Sequence, residues 1–304
     1  MIKVAVLMST YNGEKYLREQ IESILSQNVV QVDIYVRDDG SSDETKDILN
    51  GYAEQYPNIH VECAGNVGVG NSFMNLIYSV TDSYDFYSLA DQDDIWEENK
   101  LIEAVNLLGD DYLYASNQEC VDKYGNSIGL RYGEDQKINL SPVSILEKNM
   151  IAGCTMVIPN KLFRILTEEK NRPSPYLLRN RIHDVWIAMV ASVFGEIVYD
   201  KRSFIKYRQH ENNVVGAKSS FNKRLKERIK KVKHTEYRKG RSLLAKEIIN
   251  KFPNEAAKYP LIEICSKSDT FGGKIKILKN GKELRKYTGE KRLSFFIKVM
   301  LGLF

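Results

Sequence analysis

Phe86-Tyr87-Ser88-Leu89-Ala90-Asp91-Gln92-Asp93-Asp94-Ile95-Trp96 is the stretch on which the reading of the fold turns. Its first five residues have the character of a short buried strand, and three carboxylates follow within four positions. Ile95, Leu101, Ile102, Val105 and Leu108 then recur at helical spacing, which predicts a helix running on from the acidic knot. Carboxylates this close repel one another and resist ionisation. A divalent cation removes that cost, because hard cations take carboxylate oxygens readily. The Asp91-Gln92-Asp93 spacing lets two carboxylates reach one cation or one cation-bound phosphate. The same residues also suit an Asx-type turn with Asp93 or Asp94 capping the helix. A D-x-D pattern alone does not separate these readings.

Upstream, strand-like and helix-like segments alternate. Lys3–Ser9 is an apolar run of strand length that ends in Thr10-Tyr11-Asn12-Gly13, and a helix follows over 14–27. Val32–Arg37 is a second strand, closed by Asp38-Asp39-Gly40-Ser41-Ser42-Asp43. A helix over 44–55, a strand over 59–63 and a helix over 72–80 complete the run to the acidic stretch. This alternation predicts a mostly parallel α/β sheet flanked by helices, with ligands at the carboxyl ends of the strands. Every polar cluster so far falls at such an end.

Downstream, Tyr112–Ser116 reads as a strand, 121–130 as a hairpin and 150–158 as a further extended segment. Pro173 and Pro175 interrupt the chain before Arg181-Ile182-His183-Asp184-Val185-Trp186, where an apolar helix over 185–193 begins. Ile197–Tyr199 and Phe204–Arg208 read as two strands that lead into Gln209-His210.

Charge divides the chain. The net of +4 over 304 residues combines 24 Lys+Arg against 8 Asp+Glu in residues 218–304, a net of +16, with a net of −12 in residues 1–217. We expect a catalytic domain over 1–217 and a basic helical region over 218–304, joined near 216–220. No stretch approaches the ~18 apolar residues of a spanning helix, and the first residues read as a strand rather than a leader, so a cytoplasmic protein is expected. Cys63, Cys120, Cys154 and Cys265 form no C-x-x-C pair; they are read as reduced, with Cys154 buried.

The first two loops suit a nucleotide. Backbone N–H groups and hydroxyls at a helix start favour a diphosphate, and an Asp accepts from a base imide. Thr10, Asp38 and Ser41 suit plain helix caps equally well. Neither loop matches G-x-G-x-x-G or the Walker pattern, which counts against dehydrogenases and phosphate-loop NTPases. Asp184 suits a helix cap or a general base. His210 suits a metal ligand or a phosphate partner, or an ordinary structural histidine. Trp96 and Trp186 read as core or pocket walls.

Taken together, Ser9–Gly13, Arg37–Asp43, Ala90–Trp96, Cys154-Thr155-Met156-Val157, His183–Trp186 and Tyr207-Arg208-Gln209-His210 resemble family 2 glycosyltransferases of the GT-A fold. The D-Q-D-D-I-W and Y-R-Q-H forms are most similar to the rhamnosyltransferase branch that builds bacterial surface polysaccharides. The resemblance covers about residues 1–216. It implies that Thr10, Tyr11, Asn12, Asp38 and Asp39 line a nucleoside pocket, that Asp91 lies toward the ribose, that Gln92 binds the nucleotide sugar, and that Asp93 holds a divalent cation, Mn²⁺ or Mg²⁺. It implies further that Asp184 is the catalytic base, and that Arg208 and His210 face the diphosphate, His210 also serving the metal. Q-x-x-R-W, the mark of the processive branch, is absent. The implied donor is dTDP-L-rhamnose or a UDP-sugar, and the implied acceptor a lipid-linked or polysaccharide hydroxyl.

Residues 291–304 are too short to span a bilayer, and they place basic residues before bulky apolar ones. This suits an anionic membrane surface, and suits equally a helix packed on the domain or on a second subunit. A nucleotidyltransferase would carry a Gly- and Arg-rich phosphate loop that Ser9–Gly13 lacks. A nucleic-acid-binding role, which the basic tail alone would allow, is disfavoured by its few interleaved aromatics and by the acidic body, so no nucleic-acid partner is expected.

Overall fold

The computed structural model describes residues 1–180, 182–210 and 235–302. Arg181, the expected junction at 216–220 and the last two residues of the tail lie outside the described residues. Two compact units emerge. The first comprises Met1–Lys137, Ile151–Glu168 and Glu196–Ala217; the second comprises Ile138–Met150, Glu169–Gly195 and Lys218–Phe304. The units interleave along the chain, so that residues 138–150 and 169–195 group with the C-terminal helices rather than with the sheet.

The first unit is built on one nine-stranded sheet. Its strands are β1 (Ile2–Thr10), β2 (Val30–Asp38), β3 (Ile59–Cys63), β4 (Phe86–Ala90), β5 (Ile95–Trp96), β6 (Leu113–Val121), β7 (Ser127–Leu130), β8 (Val157–Pro159) and β9 (Ile197–Arg208). They run in the order β3-β2-β1-β4-β8-β6-β9-β5, with β7 paired to β6. Pairing is parallel from β3 through β4, and β8 joins β4 and β6 antiparallel. Val4 through Met8 are all fully buried, as expected of a central strand covered on both faces. On one face Val4, Val6 and Met8 share a core with Leu17, Ile21 and Ile24 of helix α1 (Leu17–Leu25), residues spaced to form one helical stripe. Helices α2 (Thr45–Gln55), α3 (Val69–Ser79), α4 (Lys100–Leu108), α5 (Pro142–Glu147) and α6 (Asn160–Thr167) follow in order, α5 belonging to the second unit.

Three local expectations are corrected. Ile95 does not belong to the helix after the acidic knot: Ile95-Trp96 is a short strand, paired antiparallel with Lys206 and Ile205 of β9, and α4 starts only at Lys100. Neither Asp93 nor Asp94 therefore caps that helix. Second, Ile197–Tyr199 and Phe204–Arg208 form one strand; between them Asp200 and Ser203 pair with Ser116 and Asn117 of β6, Lys201 and Arg202 fall where the register slips at Ser116/Asn117, and a further slip follows at Asn117/Glu119. Third, of the extended segment expected over 150–158 only the end is strand; Gly153–Thr155 is a single 3₁₀ turn.

The second unit is helical. It contains α7 (Pro175–Asn180), α8 (His183–Phe194), α9 (Thr235–Lys251), α10 (Pro253–Ala256), α11 (Pro260–Ser266), α12 (Phe271–Lys279), α13 (Gly281–Thr288) and α14 (Arg292–Met300), together with α5. Trp186 is fully buried against Phe252, and Phe194 meets the same ring edge-on. Buried Arg241 donates to the carbonyls of Leu146 and Glu147 at the end of α5 (2.9 and 3.0 Å), so a guanidinium stands where the helix presents unpaired oxygens. No described helix is long and apolar enough to cross a membrane.

Gly40, in the turn after β2, has φ +88, and an added Cβ would lie 3.2 Å from the Asn66 amide nitrogen. Gly40→Ala is expected to lower stability by about 1–2 kcal/mol from left-handed backbone strain alone, measured by urea unfolding.

Candidate functional site

Three loops meet at the carboxyl ends of β1, β2 and β4. The loop after β1 and the loop after β2 are sewn together by short polar side chains. Thr10 Oγ1 donates to Asp38 (3.1 Å), Asn12 N to Ser41 Oγ (2.8 Å), and Gly13 N to Thr45 Oγ1 (2.8 Å). Asn12 adopts φ +49, a left-handed conformation that Asn tolerates, and its Oδ1 accepts from Ser42 N (2.9 Å). Asp38 is wholly buried and accepts from Thr10, the Ser41 hydroxyl, Ser41 N and Gly40 N. Four donors fill a carboxylate, so Asp38 fastens the turn. Asp39 is held by Arg37 at 2.5 Å and by the N–H groups of Val67 and Gly68, both at 3.0 Å, which brings the loop after β3 to the same edge. Tyr11 is half exposed.

The acidic loop is tied to the first loop by one amide. Gln92 Oε1 accepts from Tyr11 N (2.8 Å) and its Nε2 donates to Tyr11 O (3.0 Å), the two-way exchange of a strand pair made by a side chain. This contact requires Gly13, since a Cβ there would lie 2.3 Å from Gln92 Oε1.

Within the acidic loop the three carboxylates differ. Asp93 Oδ2 lies 2.6 Å from His210 Nε2, so the two residues expected to serve a metal are adjacent. Asp94 is buried; Oδ1 accepts from Arg208 N (3.2 Å), and Oδ2 has no hydrogen-bond partner among the described residues. Burial, and then the Asp93 and Asp91 charges, push its pKa well above the usual carboxylate range. Ligand atoms of Asp91, Asp94 and Cys154 lie within 4.8 Å of one another. Burial also raises the Cys154 thiol, with Asp94 and Asp91 adding to the shift. The orphaned Asp94 oxygen inside this cluster fits a divalent cation, with Asp91 and Asp94 offering the hard oxygens such an ion takes.

Arg208, expected to face a diphosphate, is 3% exposed, and each of its guanidinium nitrogens donates to the protein. Nε donates to Asp93 O (3.1 Å), one terminal nitrogen to Lys123 O (3.4 Å), and the other to Glu19 (2.5 Å). Its plane lies over the Tyr16 ring, 4.4 Å from the centroid, and the His210 ring lies 5.5 Å from the same ring. Tyr16, Glu19 and Lys123 escaped the sequence reading, and no local pattern marks them. Arg37, by contrast, stands two positions before Asp39, which lies just past the end of β2.

Asp184 occupies the first turn of α8 in the second unit. It is half-buried, and its Oδ1 accepts from Val185 N (2.6 Å). Ile182, not Asp184, is the N-cap residue. The neighbouring His183 is buried, which lowers its pKa to about 3 and keeps the imidazole neutral.

Behind the acidic loop, Lys100 is buried, 3.6 Å from the Trp96 ring centroid, and donates to Ser88 Oγ (3.2 Å). It too was missed: as the first residue of α4 it reads as an ordinary solvated helix start.

The glycosyl transferase family 2 model matches residues 5–157. The dTDP-rhamnosyl transferase RfbG of Shigella flexneri is 32% identical over 249 residues, covering 76% of this chain and 81% of that one. Among solved structures, S. aureus TarS 1–349 in complex with UDP superposes with a TM-score of 0.58 at 18% identity, over 98% of this chain and 81% of that one. The mannosyltransferase PcManGT from Pyrobaculum calidifontis, in complex with GDP-Man and Mn²⁺, gives 0.51 at 14%, over 99% and 86%. The expected GT-A architecture is the observed one.

Burial lowers the Lys100 pKa from 10.5 to about 7. Between those values the unfolded chain holds a proton that the folded chain has released, so this residue's contribution to stability rises with pH, by up to about 1.4 kcal/mol per unit. Lys100→Met should remove that slope. Urea unfolding of both proteins at about pH 7 and about pH 9 checks it; parallel pH profiles would refute the assignment.

Proposed function

We propose, for a chain that belongs to glycosyl transferase family 2, that it moves L-rhamnose from dTDP-L-rhamnose onto a hydroxyl of a lipid-linked or polysaccharide acceptor in cell-surface glycan synthesis. The observation that carries the donor class is the junction of the two nucleoside-type loops with the acidic loop through Gln92 and Tyr11. The sugar assignment is supported by the identity to a dTDP-rhamnosyl transferase. A UDP-hexose donor is the second reading, favoured by the TarS likeness only at the level of fold.

In this reading Thr10, Tyr11 and Asn12 line the nucleoside pocket, and Asp38 and Asp39 give it shape from behind. Asp91 lies toward the ribose. Asp93, with His210 beside it, holds a divalent cation, Mn²⁺ or Mg²⁺, which when bound offsets charge on the departing diphosphate. Arg208 acts through the protein: it fixes the Asp93 carbonyl and the Asp94 carboxylate. Asp184 takes the proton from the acceptor hydroxyl as the oxygen forms its bond to the anomeric carbon and the bond to the diphosphate breaks, with inversion. Catalysis takes place in the cytoplasm, at the inner face of the cell membrane, where the chain meets its lipid-linked acceptor without crossing the bilayer. Residues 1–217 carry the chemistry and residues 218–304 the attachment.

Purified protein with Mn²⁺ or Mg²⁺ and a panel of nucleotide sugars should release dTDP from dTDP-L-rhamnose faster than UDP from any UDP-sugar. A preference for a UDP-sugar would transfer the assignment to the second reading. Asp184→Asn should cut turnover by roughly 10²–10⁴-fold with donor affinity kept, as loss of a general base does. Asp93→Ala should raise the cation concentration needed for half-maximal rate and weaken nucleotide binding. Near-normal transfer by Asp184→Asn would identify another base.

A further inference from the structure

In the second unit, α14 has two apolar faces. Phe295 and Val299 point inward and are 2% and 1% exposed. Leu293, Phe296, Ile297 and Met300, at i, i+3, i+4 and i+7, make a second stripe that faces outward, exposed by 71%, 48%, 48% and 49%. α12 repeats the design. Ile277 is buried, while Phe271 and Ile275 are 78% and 40% exposed. The two helices are joined where Lys274 Nζ donates to the Met300 carbonyl (3.0 Å). A folded chain rarely leaves large apolar side chains in a contiguous outward row unless something covers them.

Charge decides what covers them. Residues 271–302 hold nine Lys and Arg against two Glu. Lys298 is neutralised by Glu147 and Glu290, but Lys276, Lys279, Lys282, Lys286, Lys291 and Arg292 are exposed. On the α14 wheel Arg292 borders the outward stripe, and on α12 Lys274 and Lys279 lie on either side of Phe271 and Ile275. A second copy of this chain would bring an equally basic face against it and be repelled. A surface with an apolar interior and anionic headgroups satisfies both the stripe and its flanks. We infer that α12 and α14 form a two-helix platform that seats the enzyme on an anionic lipid bilayer, Phe271, Ile275, Leu293, Phe296 and Ile297 entering the headgroup boundary and the exposed lysines pairing with lipid phosphates. This deepens, and for its purpose rests on, the proposed membrane-side acceptor.

The test is flotation of the full chain with vesicles of phosphatidylglycerol and phosphatidylcholine, against vesicles of phosphatidylcholine alone, at low and high NaCl. Binding is expected only with the anionic vesicles, and is expected to weaken with salt. Leu293→Ser/Phe296→Ser/Ile297→Ser should lose at least about tenfold in partitioning. Phe296→Leu/Ile297→Leu should retain it, with donor turnover on a soluble acceptor unchanged in both. Equal partitioning of the triple variant and the parent, or equal binding to neutral vesicles, would overturn the platform. So would concentration-dependent self-association in analytical ultracentrifugation that the triple variant abolishes, with no vesicle binding by the parent. Vesicle binding that persists in a protein with no sugar-nucleotide turnover would sustain the platform while removing the proposed reaction.

Discussion

Arg208 reaches from the end of β9 into the acidic loop, and the geometry of the site follows from where its donors go. Its backbone N–H meets Asp94, its side chain meets the Asp93 carbonyl, and Glu19 receives the far end of the guanidinium. A buried guanidinium is tolerated only with its donors paired, and removing one partner of such a set costs several kcal/mol. The strand and the loop therefore hold each other in place. Tyr16, the N-cap residue of α1, adds a face for the cation and for the His210 ring, and with Glu19 it brings the start of α1 into the same assembly. Arg208, expected from its motif to face a diphosphate, is thus also bonded to the carboxylate loop beside it.

The sequence made the first half of the sheet readable because strands β1 to β4 are apolar runs closed by strong turn residues, with helical stripes between them. What it concealed depends on distant pairing. Ile95-Trp96 is too short to show a period, and its partner lies more than a hundred positions later in β9. The polar residues that seemed to divide β9 hide a single strand, because Asp200 and Arg202 bond one another rather than turning the chain. In the site, the acidic residues announced themselves by type and spacing, but their wiring did not. Asp38 is saturated by hydroxyls and amides from two loops, and Lys100 looks like a surface lysine until Trp96 and Ser88 close over it.

The division of charge is matched by a division of labour in the proposed reading. The sheet unit gathers carboxylates at its strand ends, while the helical unit contributes Asp184 and the basic helices. Asp184 sits in the first turn of α8, a position that stabilises a negative charge.

The two-residue strand β5 has a bearing on ion choice. β4 anchors the acidic loop at one end and β5 anchors it at the other, with Gln92 pinned to Tyr11 between them. A loop bracketed in this way has little freedom to widen or contract around a guest. In the proposed reading, discrimination among divalent ions would then fall to ionic radius and preferred coordination number rather than to adaptive closure.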